Sequence, residues 1–105
     1  MKHLVVAAVI ATLLAPVVAS AVQAGPISRA CLGSGRKAAN TGLCNCIQSV
    51  ADAALTRSDQ RLAARFFRDP HRAQEIRQSD RASHEAFWLR YKQFGSKAEA
   101  ACRGY

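Results

Sequence analysis

The chain is poor in the residues that build β-structure. Beyond its first 24 positions isoleucine, valine and threonine are few, and apolar and polar residues nowhere alternate at a period of two. A sheet or barrel is not expected. No stretch repeats, which excludes an array of stacked units, and no low-complexity stretch marks a linker between domains. Acidic residues are scarce too: seven Asp and Glu stand against fifteen Lys and Arg, a net charge of +8. Such a surface is a poor site for a cationic solute and a good one for an anion. Cysteine and histidine never recur at the paired spacing of a metal-binding module. A redox or metal role for Cys44, Cys46, His71 and His84 would need the two cysteines together, and they diverge on a helix. His71 and His84 have acidic neighbours (Asp69, Asp80, Glu85), but Ser79 and Ser83 are better explained as caps and surface than as nucleophiles. Neither a metal nor another cofactor is implied, and an enzyme is not expected.

What the chain does have, first, is an export signal. Met1, Lys2 and His3 make a short basic start, positions 4–15 are apolar apart from Thr12, and Pro16 follows. Positions 17–24 are small and apolar and close on Val22, Gln23 and Ala24. This is the pattern of a secretory signal peptide, with cleavage expected after Ala24 and Ala21 as the second choice. An uncleaved anchor is the competing reading, because positions 4–22 are about long enough to span a bilayer. Pro16 and the small residues favour removal. Arg29 ahead of Cys31 does not suit the small apolar box that lipid attachment requires. Residues 1–24 are read as the signal peptide and 25–105 as a single domain, exported to the periplasm or the extracellular space.

The remaining 81 residues keep 14 of the basic and all seven acidic side chains, a net charge near +7 carried mostly by arginine. A chain of this size buries only about 60–65% of its unfolded surface, so burial and chain entropy nearly cancel and staples are expected. Four cysteines in a short exported chain read as a disulfide framework. Cys44 and Cys46 point about 200° apart on a helix, so a bridge between them is the poorest of three pairings. Each should reach Cys31 or Cys102, and the spacing does not choose between the two ways of doing so. Whichever bridge ends at Cys102 closes a loop approaching 60 residues, worth roughly 4 kcal/mol on the chain-entropy account.

The periodicity predicts short helices throughout. Leu43, Ile47, Val50 and Ala54 recur at i, i+4, i+7 and i+11, one face of a central helix capped by Asn40 or Thr41. Before it lie a short entry segment around Cys31 and a loop at residues 33–37. After it, Thr56 or Ser58 caps a second helix with Asp59 in its first turn. Asp69 and Pro70 end that helix and start a third, reaching about Gln78. Ser79 or Asp80 is expected to cap the last helix. There His84, Phe87, Trp88 and Tyr91 fall at i, i+3, i+4 and i+7 with Phe94 beside them, an aromatic face read as core. Gly95 and Ser96 can break it, since Ser96 and Glu99 have capping-box spacing. The fold class is all-α, a small disulfide-stapled bundle of four to five short helices.

One feature exceeds what folding requires. Arg57, Arg61, Arg65, Arg68 and, past the proline, Arg72 step by 4, 4, 3 and 4, so a continuous helix would carry them on one narrow face. Like charges at this spacing disfavour a helix by a few tenths of a kcal/mol each; Asp69 can relieve some of it through Arg65 and Arg72. The ordinary reading is a solvated face whose long stems cover the core edge. The functional reading is an anionic partner: acidic lipid head groups, envelope polyanions or an acidic protein. An exported chain rarely meets nucleic acid. Arg29, Arg36 and Lys37 stand apart from this row, in the entry segment and its loop.

The string Cys31…Leu43-Cys44-Asn45-Cys46-Ile47-Gln48, with Asp59-Gln60-Arg61, Ala64-Arg65-Phe66-Phe67, Asp69-Pro70-His71-Arg72-Ala73-Gln74-Glu75, Glu85-Ala86-Phe87-Trp88, Tyr91, Phe94 and Cys102, resembles a group of small exported bacterial proteins with four cysteines and no established activity. It covers nearly all of residues 25–105. Some members carry an "arginine transporter" label, which implies at most a periplasmic accessory or solute-binding piece, because no membrane span survives signal cleavage. The resemblance brings no catalytic residues. The expectation is a protein that acts by binding. The alternatives are a small thiol–disulfide redox protein using Cys44 and Cys46, and a structural accessory of an envelope or transport complex.

Overall fold

Local chemistry sets most of the helix boundaries. In a computed structural model that describes residues 25–105, Pro26 opens α1 (Pro26–Leu32) at its first position, where a missing N–H costs nothing. The loop that follows turns at Gly35, whose φ of +75° lies where side chains are disfavoured. Asn40 caps α2 (Thr41–Ala54) by accepting the Leu43 N–H at 2.8 Å. Thr56 caps α3 (Arg57–Arg68) by accepting the Asp59 N–H at 3.1 Å. Pro70 forces the residue before it out of helical geometry, so Asp69 (φ −140°, ψ 85°) ends α3 and Pro70 begins α4 (Pro70–Arg77). The carboxylate of Asp69 makes no cap bond. The last helix, α5, is Ala82–Ala101. The described residues are helical with turns between, all-α as the periodicity indicates. The expected signal peptide, its cleavage site and the possible anchor lie outside the described residues.

Both bridges reach from the central helix. Cys31 pairs with Cys44 and Cys46 with Cys102, at Cα separations of 5.6 and 5.8 Å. Both pairings open to sequence tie α2 to α1 and to the end of α5; the one formed is the uncrossed pairing, in which Cys44 takes Cys31 and Cys46 takes Cys102. α1 also packs on α3, α3 on α4, and α4 on α5, so the chain closes around a core of Ile27, Ala51, Ala63, Phe66, Ile76, Phe87 and Phe94. Disulfides of this kind belong to an oxidising environment rather than the reducing cytoplasm. No helix among the described residues is long and apolar enough to cross a membrane.

Three sequence expectations are corrected. The buried line of α2 is Cys44, Gln48, Ala51 and the adjoining Leu55, one residue round from the predicted stripe; Leu43, Ile47, Val50 and Ala54 are half-buried. The helix is gripped between α1 and α5, so its innermost line is set by both neighbours, and polar Gln48 holds the centre because all its hydrogen-bonding groups are used. Neither Ser79 nor Asp80 caps α5: Arg81 takes that position without a side-chain bond. The Ser79 hydroxyl instead accepts the Arg81 N–H at 3.2 Å and meets His84 Nδ1 at 2.7 Å, which spends it on the turn. Gly95 and Ser96 do not interrupt α5. A mid-helix glycine costs about 1 kcal/mol against alanine, and the burial of Phe94 and the Cys102 bridge beyond it hold both sides of that point.

The aromatic face is core along one edge. Phe87 and Phe94 are buried, whereas His84, Trp88 and Tyr91 are half-buried. Phe66 from α3 meets Phe87 edge-on at 6.0 Å between centroids and Tyr91 at 5.2 Å, an edge-to-face arrangement that the ring quadrupoles favour. Burial pushes the Tyr91 hydroxyl pKa up, with Arg36 pulling the other way.

Candidate functional site

The position of α1 decides the geometry of the site, and a polar network sets that position. Gln48 Oε1 accepts the Ser28 N–H at 2.9 Å, and Gln48 Nε2 donates to Asp52 Oδ1 and to Gln60 Oε1, both at 2.8 Å. Ser28 Oγ donates to Asn45 Oδ1 at 3.1 Å. Ser28, Gln48 and Gln60 are all buried, so one carboxamide joins α1, α2 and α3 away from water. Gly25 permits this: a Cβ there would run into the Gln48 carboxamide. Together with Cys31–Cys44, these bonds fix α1 against α2 and lay its outer side beside α3.

α3 is oriented from its other side by an ion pair. Arg90 of α5 donates through Nε to Asp59 Oδ2 at 2.7 Å and through a terminal nitrogen to Asp59 Oδ1 at 3.0 Å. This two-pronged contact holds the buried Asp59 carboxyl below its ordinary pKa, with smaller help from Thr56 and against the opposing effect of burial. Periodicity does not reveal this pair, because its members lie 31 residues apart.

Between α1 and α3 an open cleft of about 500 Å³ results, lined by Pro26, Arg29, Ala30, Gly33, Arg61, Ala64, Arg65 and Arg68. Beside it a second concavity of about 400 Å³ is lined by Arg65, Arg68, Asp69 and Arg72. The predicted row is thus divided. Arg61, Arg65 and Arg68 border the first cleft. Arg72 belongs to α4, beyond the break at Asp69, yet it shares the second concavity with Arg65 and Arg68. Arg57 lines neither. Arg57, Arg61, Arg65 and Arg68 are exposed and form no ion pair among the described residues, and the expected relief from Asp69 does not form; Arg72 reaches Glu75 at 3.5 Å.

Arg29 was set apart from the row by sequence, and the fold brings it in. No periodic signal could have shown this, because the approach of α1 to α3 is a long-range event. Arg36 goes elsewhere, its guanidinium 5.5 Å above the Phe67 ring. The four cysteines are consumed by the two bridges, so Cys44 and Cys46 are not joined to each other. His71 is exposed, and His84 engages Ser79. No group of three His, Cys, Asp or Glu side chains among the described residues could hold a metal ion. No family model, no curated protein and no solved structure matches this chain.

Proposed function

We propose that this protein is exported and acts by binding an anionic partner of the cell envelope (acidic lipid head groups, polyanions or an acidic protein) through Arg61, Arg65 and Arg68, with Arg57 and Arg72 at the ends of the row. The observation that carries this reading is convergence: Arg61, Arg65 and Arg68, which form no ion pair among the described residues, border one concave surface, and Arg29 of another helix lines the same surface. Arginines that only solvate a helix face diverge outward and need no shared hollow. The test is binding of the oxidised protein to anionic vesicles and to soluble polyanions, repeated as salt shortens the screening length to a few ångströms near 1 M. Changing Arg61, Arg65 and Arg68 together to Gln keeps helix propensity and much of the stems, so folding should survive while binding falls. The control is Lys92, Lys97 and Arg103 changed to Gln, which removes equal charge from exposed positions that border neither concavity. Equal loss in both triple variants would reduce the effect to net charge, and no binding by the wild type at low salt would end the proposal.

A further inference from the structure

We propose that the cleft between α1 and α3 is a discrete site for a ligand with a terminal phosphate, either a soluble phosphate monoester or a phospholipid whose head group is a bare phosphate. This deepens the reading above and rests on it. Among the described residues, the basic side chains bordering the cleft are all arginine. A guanidinium presents a rigid fork that matches two oxygens of one anion, where an ammonium is a point charge. Arg29 stands on one wall and Arg61, Arg65 and Arg68 on the other. A carboxylate offers a single two-oxygen edge. A terminal phosphate offers three oxygens and up to two charges, so it can engage forks from both walls at once.

The rest of the lining among the described residues is Pro26, Ala30, Gly33 and Ala64, which brings no carboxylate to oppose an anion. The neighbouring concavity contains Asp69, and for that reason is the poorer site. A volume of about 500 Å³ lies within the usual range for small-molecule pockets. The like charges of Arg61, Arg65 and Arg68 at helical spacing repel one another without an ion pair, and a bound phosphate relieves that repulsion.

The test titrates the oxidised protein by calorimetry with glycerol phosphate and, separately, with vesicles of phosphatidylcholine with and without phosphatidic acid, whose head group is a terminal phosphate. Three single variants separate a site from a face. Arg29→Gln removes the α1 fork. Gly33→Leu keeps every charge and fills the cleft; φ there is −84°, and a Cβ would sit 3.3 Å from the Arg29 carbonyl, a contact that slight adjustment relieves. Lys97→Gln removes one charge at an exposed position outside the cleft. The expected result is saturable one-to-one binding that weakens roughly tenfold in Arg29→Gln, comparably in Gly33→Leu, and less than twofold in Lys97→Gln. Circular dichroism checks each fold, and Arg29→Gln decides if Gly33→Leu does not fold. The same order of variants on phosphatidic acid vesicles alone supports the site and identifies the lipid as the source of phosphate. If Arg29→Gln and Lys97→Gln lose equally and Gly33→Leu loses nothing, the discrete site is overturned while the anionic face stands. Binding to a polycarboxylate without binding to either phosphate probe overturns the phosphate assignment alone. Failure of the wild type to bind any anion removes both readings.

Discussion

Replacing Gln48 by Met tests whether the buried carboxamide holds α1 in place. The substitution nearly conserves length and volume, so little cavity is made. Three hydrogen bonds are lost: from the Ser28 N–H, to Gln60 Oε1 and to Asp52 Oδ1. Asp52 is exposed and turns to water. Ser28 and Gln60 are 1% and 3% exposed, so their freed groups have no such recourse. A buried polar group left without a partner costs about 1–3 kcal/mol. Two of them, less about 1 kcal/mol regained by burying a thioether instead of an amide, leave roughly 1–5 kcal/mol. For 81 residues the whole stability is on the order of 4–12 kcal/mol, so the variant should lose a large share of it and melt at least about 5 °C lower. Urea unfolding of the oxidised protein should show a lower midpoint with an unchanged slope. Hydrogen exchange at the Ser28 amide should accelerate more than the global loss accounts for. Because Arg29 follows Ser28 on α1, anion binding should weaken as well. A loss below about 0.5 kcal/mol, with Ser28 still protected, would refute the reasoning, since the freed groups would then have found partners in an interior that has none to offer.

Phe87→Ala should cost about 3–5 kcal/mol and half-buried Trp88→Ala distinctly less, about 1–3 kcal/mol, by urea unfolding; equal losses would mean that the indole carries as much of the core as the phenyl ring. Removing Cys46–Cys102, with a sequence separation of 56, should cost about 4 kcal/mol, against about 3 kcal/mol for Cys31–Cys44, with a separation of 13. Binding should follow the opposite order, because only the shorter bridge anchors α1; identical binding losses would detach the cleft from α1. Asp59 has a lowered folded pKa, so its contribution is present above its ordinary value of 3.8 and is lost as pH falls through the folded one. Asp59→Asn should therefore cost about 1–2 kcal/mol at neutral pH, allowing for solvent around Arg90, and flatten the acid limb of the stability profile. Tyr91 has a raised folded pKa, so stability should begin to fall above pH 10 as the unfolded chain ionises first, and Tyr91→Phe should remove that part of the alkaline loss.

Sequence alone determined what depends on near neighbours. It places helix starts to within a residue or two, at Asn40 or Thr41, Thr56 or Ser58, and Pro70, because capping and proline act within three or four residues; the structure takes Asn40 and Thr56. The 3.6-residue period betrays a helix without knowledge of its partners. An even set of four cysteines, two of them diverging on one helix, was enough to tie α2 to both flanks. Serine misled at residue 79 for the same local reason: a hydroxyl suited to a cap also suits a turn and a histidine, and composition does not say which it serves. Periodicity also locates a buried face only to about one residue, or 100°, so the innermost line of α2 awaited its neighbours. The choice between the two pairings, the joining of Ser28, Gln48 and Gln60, the Asp59–Arg90 pair and the arrival of Arg29 opposite Arg61, Arg65 and Arg68 were decided by the tertiary structure alone. Each is a meeting of side chains from separate elements, fixed by how whole helices pack, and no spacing along the chain encodes the distance between residues that only folding makes adjacent.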